Sequence, residues 1–345
     1  MRTAFETASS ADPRLTIRRR YRLAGCHVVL TIAGKALADR IARTLRHLEE
    51  NDTATGPVDL HIDLWDGEET GVPSPVSYLR DVFYRSWPFG RNVLASSADE
   101  DRLGFQTREA TTILDRRANR IVGFASSHHR LSLFELGKPL QPLLFAWFSA
   151  RDLVPVHAGL VSRGGQGILL GGAGGSGKTT TSLLCARAEF AYLGDDYIVV
   201  PPANGSGHRG YSLYNSTWLE PEHVRRFPWL EDRVVRGTEH EDKWLVVLSG
   251  VEGLHMAPDA PLQALALPKV AGTAETRWSR ASRAEALRRL APSSILQLPF
   301  IVPGPAFERM TELVQSIPAY RLELGTDLER IPDRVAEILD DAGRR

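Results

Sequence analysis

The sequence predicts an α/β protein made of two domains, an α+β N-terminal domain to about residue 150 and a second domain over 151–345. Three observations indicate this fold class. At roughly 150 residues per domain, a chain of 345 residues is long enough for about two domains. Alternating and helical hydrophobic patterns follow one another along the chain. In the second half, the apolar strand Gly167–Leu170 leads into a glycine-rich loop and then a helix, an order typical of α/β proteins.

The N-terminal domain is expected to begin with a loose leader over residues 1–20, in which Arg18–Arg20 is a solvated charge run. β-Branched and apolar residues then predict a strand at His27–Ile32. Alternating apolar residues predict another strand at Val58–Leu64. The other predicted elements are a helix with Leu37, Ile41, Leu45 and Leu48 on one face, a hairpin of Thr111–Leu114 with Ile121–Ala125, and an aromatic-rich helix at Pro142–Phe148.

The second domain is expected to begin near Val154 and to alternate strands with helices. A helix is predicted at Lys178–Ala188, directly after the glycine-rich loop, and a strand at Tyr192–Val200, interrupted by two aspartates. Pro201–Gly210 is predicted to be a polar loop. Further strands are predicted at Leu245–Ser249, Gln263–Pro268 and Ala319–Leu324, and amphipathic helices at Arg283–Leu290 and Asp333–Leu339.

Composition excludes several classes of partner. Lys+Arg and Asp+Glu both number 42, so the net charge is zero and predicts neither nucleic acid nor an anionic membrane as a partner. No apolar run approaches the ~18 residues of a membrane span. The polar segment Met1–Arg20 is not a signal peptide, so we expect a cytoplasmic protein. Two distant cysteines, Cys26 and Cys185, predict neither a disulfide framework nor a cysteine zinc site.

The glycine-rich loop Gly172–Thr179 satisfies the phosphate-binding pattern G-x-x-x-x-G-K-[ST]. Backbone N–H groups of such a loop and the following helix N-terminus face a phosphate. Lys178 is expected to reach the β- and γ-phosphates of ATP, and the Thr179 hydroxyl to bind Mg²⁺. The alternative is a flexible glycine turn before a helix. The expected nucleotide-binding residues are Gly172, Gly174, Gly175, Ser176, Gly177, Lys178, Thr179 and Thr180.

An aspartate pair, Asp195-Asp196, lies in the next predicted strand. Two adjacent carboxylates are costly to bury without a cation. Beside a nucleotide they suit two tasks, holding Mg²⁺ and taking a proton from an acceptor hydroxyl. The alternative is an acidic turn. A single histidine, His157, comes one strand before the loop, and a lone histidine is more often structural than catalytic.

The segment Val154–Val200 resembles the catalytic domain of HPr kinase/phosphorylase, a bacterial protein serine kinase. That family carries, in order, a strand starting with His-Gly or His-Ala, a strand–phosphate loop–helix unit, and a strand bearing an Asp-Asp pair. Here these are His157-Ala158, the loop Gly172–Thr179 and Gly194-Asp195-Asp196. The resemblance implies a P-loop kinase domain with a mixed sheet, using ATP and Mg²⁺.

The same resemblance implies roles for the site residues. Asp195 is then the base that activates a serine hydroxyl, and His157 lies against the aspartate and tunes it. Asp196 helps Thr179 to hold Mg²⁺, and Lys178 acts on the transferred phosphoryl group.

Later segments resemble a divergent branch of HPr-kinase-like proteins, found in gene clusters for ribosomally made peptides that include lasso peptides. They are Tyr211–Trp218, Lys243 and Pro318–Gly325. Some members of this branch phosphorylate a serine of a precursor peptide. We expect Tyr211–Trp218 to meet such a peptide, the alternative being a core strand. Lys243 is expected to neutralise phosphoryl charge, the alternative being a solvated lysine paired with neighbouring acids.

Three functions stay open at this stage. The first is an ATP-dependent kinase of a serine in a peptide or protein, including a ribosomal precursor peptide. The second is a kinase of a small hydroxylated metabolite. The third is an ATP-binding regulatory protein without transfer. A homo-oligomer is compatible with the sequence, which favours no oligomeric state.

Overall fold

In a computed structural model, the chain folds around two large mixed β-sheets and one small sheet. The structure describes residues 1–51, 56–76, 85–86, 93–205, 207–236, 242–295 and 303–344. The chain divides into two compact units, Met1–Trp147 and Phe148–Arg345. Both units combine helices with mixed sheets, so the protein is mixed α/β.

The N-terminal unit contains an eight-stranded sheet in the order β1-β2-β3-β8-β7-β6-β5-β4. The pairs β2–β3 and β3–β8 are parallel, and the other neighbours are antiparallel. Its strands are β1 Thr16–Leu23, β2 Cys26–Ala33, β3 Leu60–Asp66, β4 Arg85–Ser86, β5 Val93–Ser96, β6 Arg102–Gln106, β7 Ala110–Asp115 and β8 Arg120–Ala125. Its helices are α1 Arg2–Ala11, α2 Lys35–Leu45, α3 Gly67–Thr70, α4 Leu133–Gly137 and the boundary helix α5 Gln141–Ser149.

The prediction of a loose leader over residues 1–20 is wrong. This segment forms helix α1, which buries Phe5 and Ala8, and most of strand β1. Two buried residues three apart give only a narrow helical face, which a sequence pattern hardly registers. β1 lies at the edge of its sheet, where charged residues are tolerated, and Arg19 of its arginine run pairs with Glu49.

The C-terminal unit contains a sheet in the order β18-β12-β10-β11-β19-β14-β13-β9, and β21 joins it by pairing with β19 and β20. A separate three-stranded sheet has the order β15-β17-β16. The strands are β9 Val154–Val156, β10 Ala158–Arg163, β11 Gln166–Gly171, β12 Ala191–Gly194, β13 Ile198–Val200, β14 Arg209–Tyr211, β15 Ser216–Leu219, β16 Val234–Val235, β17 Trp244–Val247, β18 His255–Met256, β19 Asp259–Val270, β20 Arg277–Arg280 and β21 Ala319–Leu324.

The helices of this unit cover both faces of its large sheet. Leu169 of β11 belongs to a core that also contains Leu290 and Met310, whereas Ile168 and Leu170 belong to the opposite core with helix residues such as Cys185. The alternation follows from the period of two in a strand. The helices are α6 Lys178–Arg187, α7 Pro221–Val224, α8 Arg283–Ile295, α9 Pro303–Ser316 and α10 Ile331–Gly343.

One prediction for this unit needs correction, and one helix was not predicted. The single strand predicted at Tyr192–Val200 is two strands, β12 and β13, and the aspartate pair lies in the turn between them. β12 pairs with β10, whereas β13 pairs with β9 and β14, so the chain changes neighbours at the aspartates. Helix α9 was not predicted, because Pro303 and Pro305 look like turn residues, although the first turn of a helix tolerates proline.

One edge of the large sheet collects the ends of four strands. β11 and β19 are parallel, and so are β19 and β21. β12 and β11 both pair antiparallel with β10, so they run in the same direction. The carboxyl ends of β12, β11, β19 and β21 therefore meet at this edge, where open α/β sheets bind their ligands.

Candidate functional site

The glycine-rich loop connects the end of β11 to the start of α6 at this edge. Gly172 and Gly177 have φ values of 155° and 102°, which favour glycine. A Cβ atom on Gly177 would lie 2.3 Å from Cδ1 of Leu324. A Cβ atom on Gly172 would lie 2.8 Å from Oγ of Ser176. These glycines are thus required by backbone shape and by close packing, as a phosphate-binding loop needs.

The crest of the loop faces open space. Ala173, Gly174 and Gly175 are exposed, and nothing lies within 4 Å of a Cβ atom built on either glycine. The hydroxyl of Ser176 is buried and has no hydrogen-bond partner among the described residues. Together with the N–H groups at the start of α6, this hydroxyl suits an anion at the crest.

Lys178 is buried at the first position of α6. Its side chain folds back, and Nζ donates hydrogen bonds to the carbonyl oxygens of Gly172 at 2.7 Å and Ala173 at 3.1 Å. The pKa of Lys178 is lowered to about 8. Burial is the main cause, the carboxylate of Asp195 opposes it, and the positive charge of Lys243 adds a smaller lowering. Neutral carbonyl groups compensate this ammonium only in part, so a phosphate would stabilise its charged form.

Asp195 is buried, with 3% of its surface exposed, and both carboxylate oxygens accept hydrogen bonds. Tyr192 Oη donates to Oδ1 at 2.9 Å, and Thr217 Oγ1 donates to Oδ2 at 2.6 Å. Burial and the neighbouring Asp195 raise the pKa of Tyr192 well above its usual range, so the phenol stays a donor. This carboxylate is held in place by two hydroxyl groups.

Asp196 is more accessible and pairs with His157. The distance from His157 Nε2 to Asp196 Oδ1 is 2.9 Å, and 28% of the Asp196 side chain is exposed. The imidazole ring stacks on Tyr197 with centroids 5.0 Å apart. The His157 backbone N–H donates to Oγ of Ser294 in α8 at 3.0 Å. The structure therefore pairs the histidine with Asp196, whereas the sequence led us to expect it against the base, Asp195.

The remaining predicted residues fall into two groups. Thr179 and Thr180 are half-buried in the first turn of α6, next to the loop. Lys243 is exposed just before β17, yet it lies close enough to affect the pKa of Lys178. Tyr211–Trp218 is mostly buried, and its Thr217 holds Asp195. Burial favours the core-strand interpretation of Tyr211–Trp218.

Sequence reasoning missed Tyr192, Thr217 and Ser294. Tyr192 begins the predicted strand three residues before Asp195, and a tyrosine buried in a strand usually needs a hydrogen-bond partner for its hydroxyl. Thr217 lies in the segment Tyr211–Trp218, which the sequence linked to the site without indicating this residue, and Ser294 comes from a distant segment that only the fold brings near.

A second carboxylate–histidine cluster lies in the N-terminal unit. Ligand atoms of Asp66, Glu69 and His128 lie within 4.8 Å of one another, the spacing of a metal site. Asp66 already accepts hydrogen bonds from the backbone N–H groups of Glu68, Glu69 and His128. These N–H groups compensate the carboxylate as a metal ion would, so the cluster satisfies its own charge.

No protein-family model matches the chain, and no curated protein is significantly similar to it in sequence. Among the described residues, none of the helices combines the length and apolar character that a membrane crossing requires.

Proposed function

We propose that the chain is an ATP-dependent kinase with an HPr-kinase-like P-loop domain, which transfers the γ-phosphoryl group to a serine hydroxyl of a peptide or protein. One observation carries the proposal. The glycine-rich loop and the turn with the aspartates leave the same edge of one sheet, and the buried Lys178 of the loop interacts electrostatically with Asp195. A flexible glycine turn accounts for neither the burial of Lys178 nor the carboxylate beside it.

The chain fits ATP with Mg²⁺. The exposed crest, the unpaired Ser176 hydroxyl and the partly compensated Lys178 are suited to phosphate oxygens. The Thr179 hydroxyl at the start of α6 would hold Mg²⁺, whose charge balances that of the phosphates. Lys243 adds a second positive charge, which acts on Lys178 electrostatically. This charge distribution suits a triphosphate better than a neutral ligand.

In this proposal the serine oxygen attacks the γ-phosphorus atom while the bond from that atom to the β-bridging oxygen breaks. ADP leaves with the electron pair, and the serine proton passes to a carboxylate of the chain. Asp196 is the better acceptor, because it is accessible and His157 orients it. Asp196 thus takes the base role that the sequence suggested for Asp195, and Thr179 remains the Mg²⁺ ligand. Asp195 stabilises the charge of Lys178.

One alternative is favoured by a specific observation. Both oxygens of Asp195 are engaged by hydroxyl groups, as expected in an ATP-binding regulatory protein that transfers nothing. The two functions differ at Asp196, since a pure binding protein has no use for a proton acceptor there. A metabolite kinase has no comparable support among the described residues.

The test is transfer to a peptide. The protein is incubated with Mg·ATP and serine-containing peptides, including any small peptide encoded next to its gene, and fragmentation mass spectrometry locates any added phosphate. We expect a phosphoserine, none on a peptide whose serines are alanines, and none with Lys178→Ala. Lys35→Ala is the matched control, because Lys35 also begins a helix after a glycine with positive φ but is exposed. Phosphate found only on a small metabolite, with the peptide unmodified, would overturn the proposal.

A further inference from the structure

The position of the phosphate loop between two sets of strands decides where a bound nucleotide extends. On one side of β11 lie β10 and then β12, and the aspartates follow β12. β19 and β21 lie on the other side. The γ-phosphate must face the aspartates, where the proton acceptor lies. The α-phosphate and the nucleoside therefore leave the loop toward the ends of β19 and β21.

An unusual apolar residue occupies that side. Val270 ends β19 with 61% of its surface exposed. Among the residues that the structure describes, two large hydrophobic residues are exposed, and Val270 is the more exposed of them. Its Cγ2 atom lies 3.9 Å from the position of a Cβ atom on Gly177, so Val270 adjoins the phosphate loop. Leu324 of β21 packs between the loop and the core on the same side. Isolated exposed apolar residues are common, but this one borders a phosphate site.

The backbone around Val270 is held by hydrogen bonds to the segment after β21. The N–H of Ala271 donates to Leu324 O at 2.9 Å, and the N–H of Thr326 donates to Thr273 O at 3.0 Å. Asp327 Oδ1 accepts from both the backbone N–H of Thr276 at 2.8 Å and its hydroxyl at 2.6 Å. Val270 is thus an exposed apolar surface on a fixed support, which lowers the entropic cost of binding a flat ring.

We propose that Val270 forms the surface against which the nucleobase of the bound nucleotide packs. The inference rests on the proposed function, since it takes the phosphates to lie in the loop. It makes Val270 a positioning residue for the nucleoside and assigns it no part in the chemistry. Nucleotides and bare polyphosphates then differ in their dependence on this residue.

Calorimetry with Mg·ATP and with Mg·tripolyphosphate tests the proposal. Val270→Ser removes apolar surface without adding a charge that would repel phosphate. We expect it to weaken Mg·ATP binding about five-fold, the effect of losing roughly one buried methylene-sized contact, and to leave tripolyphosphate binding unchanged. Val270→Ile keeps the apolar surface and should therefore keep the affinity for ATP. Phe307→Ser is the matched control, because Phe307 is similarly exposed, at 48%, but lies on α9.

Each other outcome contradicts the inference in a recognisable way. Equal weakening of ATP and tripolyphosphate means that Val270 acts through the shape of the loop. No weakening of either means that the base lies elsewhere, and the proposed function then survives. If the unmodified protein binds neither ligand, both the inference and the proposed function fail.

Discussion

Among the residues that the structure describes, two aspartate–histidine pairs occur, one in each unit, and their surroundings differ. In the N-terminal unit, His128 Nδ1 lies 2.9 Å from Asp66 Oδ2. In the C-terminal unit, His157 Nε2 lies 2.9 Å from Asp196 Oδ1. The contact distances are the same, and each aspartate ends or follows a strand of a mixed sheet. Their surroundings decide what each pair can do.

Asp66 is completely buried, and the chain saturates its oxygens. Oδ1 caps α3 by accepting from the N–H groups of Glu68 and Glu69, and Oδ2 accepts from both the backbone and the ring of His128. Asp196 is partly exposed and follows β12, whose carboxyl end lies at the same edge of the sheet as the glycine-rich loop. A carboxylate enclosed by fixed N–H groups stabilises the fold, whereas an accessible one beside a loop can exchange a proton. The same residue types thus give a structural hydrogen-bonding centre in one unit and a candidate proton acceptor in the other.

Replacing Asp196 should have the largest effect. Asp196→Asn keeps the shape but cannot accept the serine proton, so phosphoryl transfer should fall about 10³-fold while Mg·ATP affinity and thermal stability stay nearly the same. Single-turnover transfer and calorimetry measure these quantities. Asp333→Asn, an exposed acid on α10, should behave as the unmodified protein does. Transfer near the original rate in Asp196→Asn would show that Asp196 is not the proton acceptor, whereas ATP binding without any transfer by the unmodified protein would favour the regulatory protein.

Asp66→Ala should produce the opposite pattern. The substitution leaves several buried N–H groups without an acceptor, so the free energy of unfolding should fall by about 3 kcal/mol. Denaturant titration checks this value, and Mg·ATP affinity reports on the other unit. Asp12→Ala is a suitable control, since Asp12 caps an exposed turn. If added Zn²⁺ raises the melting temperature of the unmodified protein and not of Asp66→Ala, the cluster is a metal site instead.

Much of this contrast could not be predicted from sequence. The phosphate-binding pattern indicated Lys178, and its place between a strand and a helix follows from local periodicity. The roles of the two aspartates did not follow, since neighbouring residues carry no information on which one is buried. One of the two hydroxyl groups that hold the buried Asp195 belongs to Thr217, which comes from another sheet. The Asp66 cluster was missed because His128 is 62 positions from Asp66 in the chain.

Asp195→Asn sharpens the comparison within the C-terminal unit. Tyr192 and Thr217 can each donate or accept, so an amide can replace the carboxylate with a loss of about 1 kcal/mol in the free energy of unfolding. The charge that supports Lys178 is lost, so transfer should fall about ten-fold, far less than for Asp196→Asn. Parallel rate measurements on both variants decide the matter. A greater loss with Asp195→Asn would return the base role to Asp195.

The smallest effect is expected for Lys243, whose exposure invites the interpretation of a solvated lysine. Its positive charge nevertheless lowers the pKa of Lys178. A bound triphosphate would stabilise the charged forms of both lysines. Lys243→Ala should therefore weaken Mg·ATP binding about five-fold, with the difference shrinking at high salt because an exposed charge is screened. Arg225→Ala removes another exposed cation and should leave the affinity unchanged. Unaltered binding and turnover in Lys243→Ala at low salt would show that this lysine is only solvated.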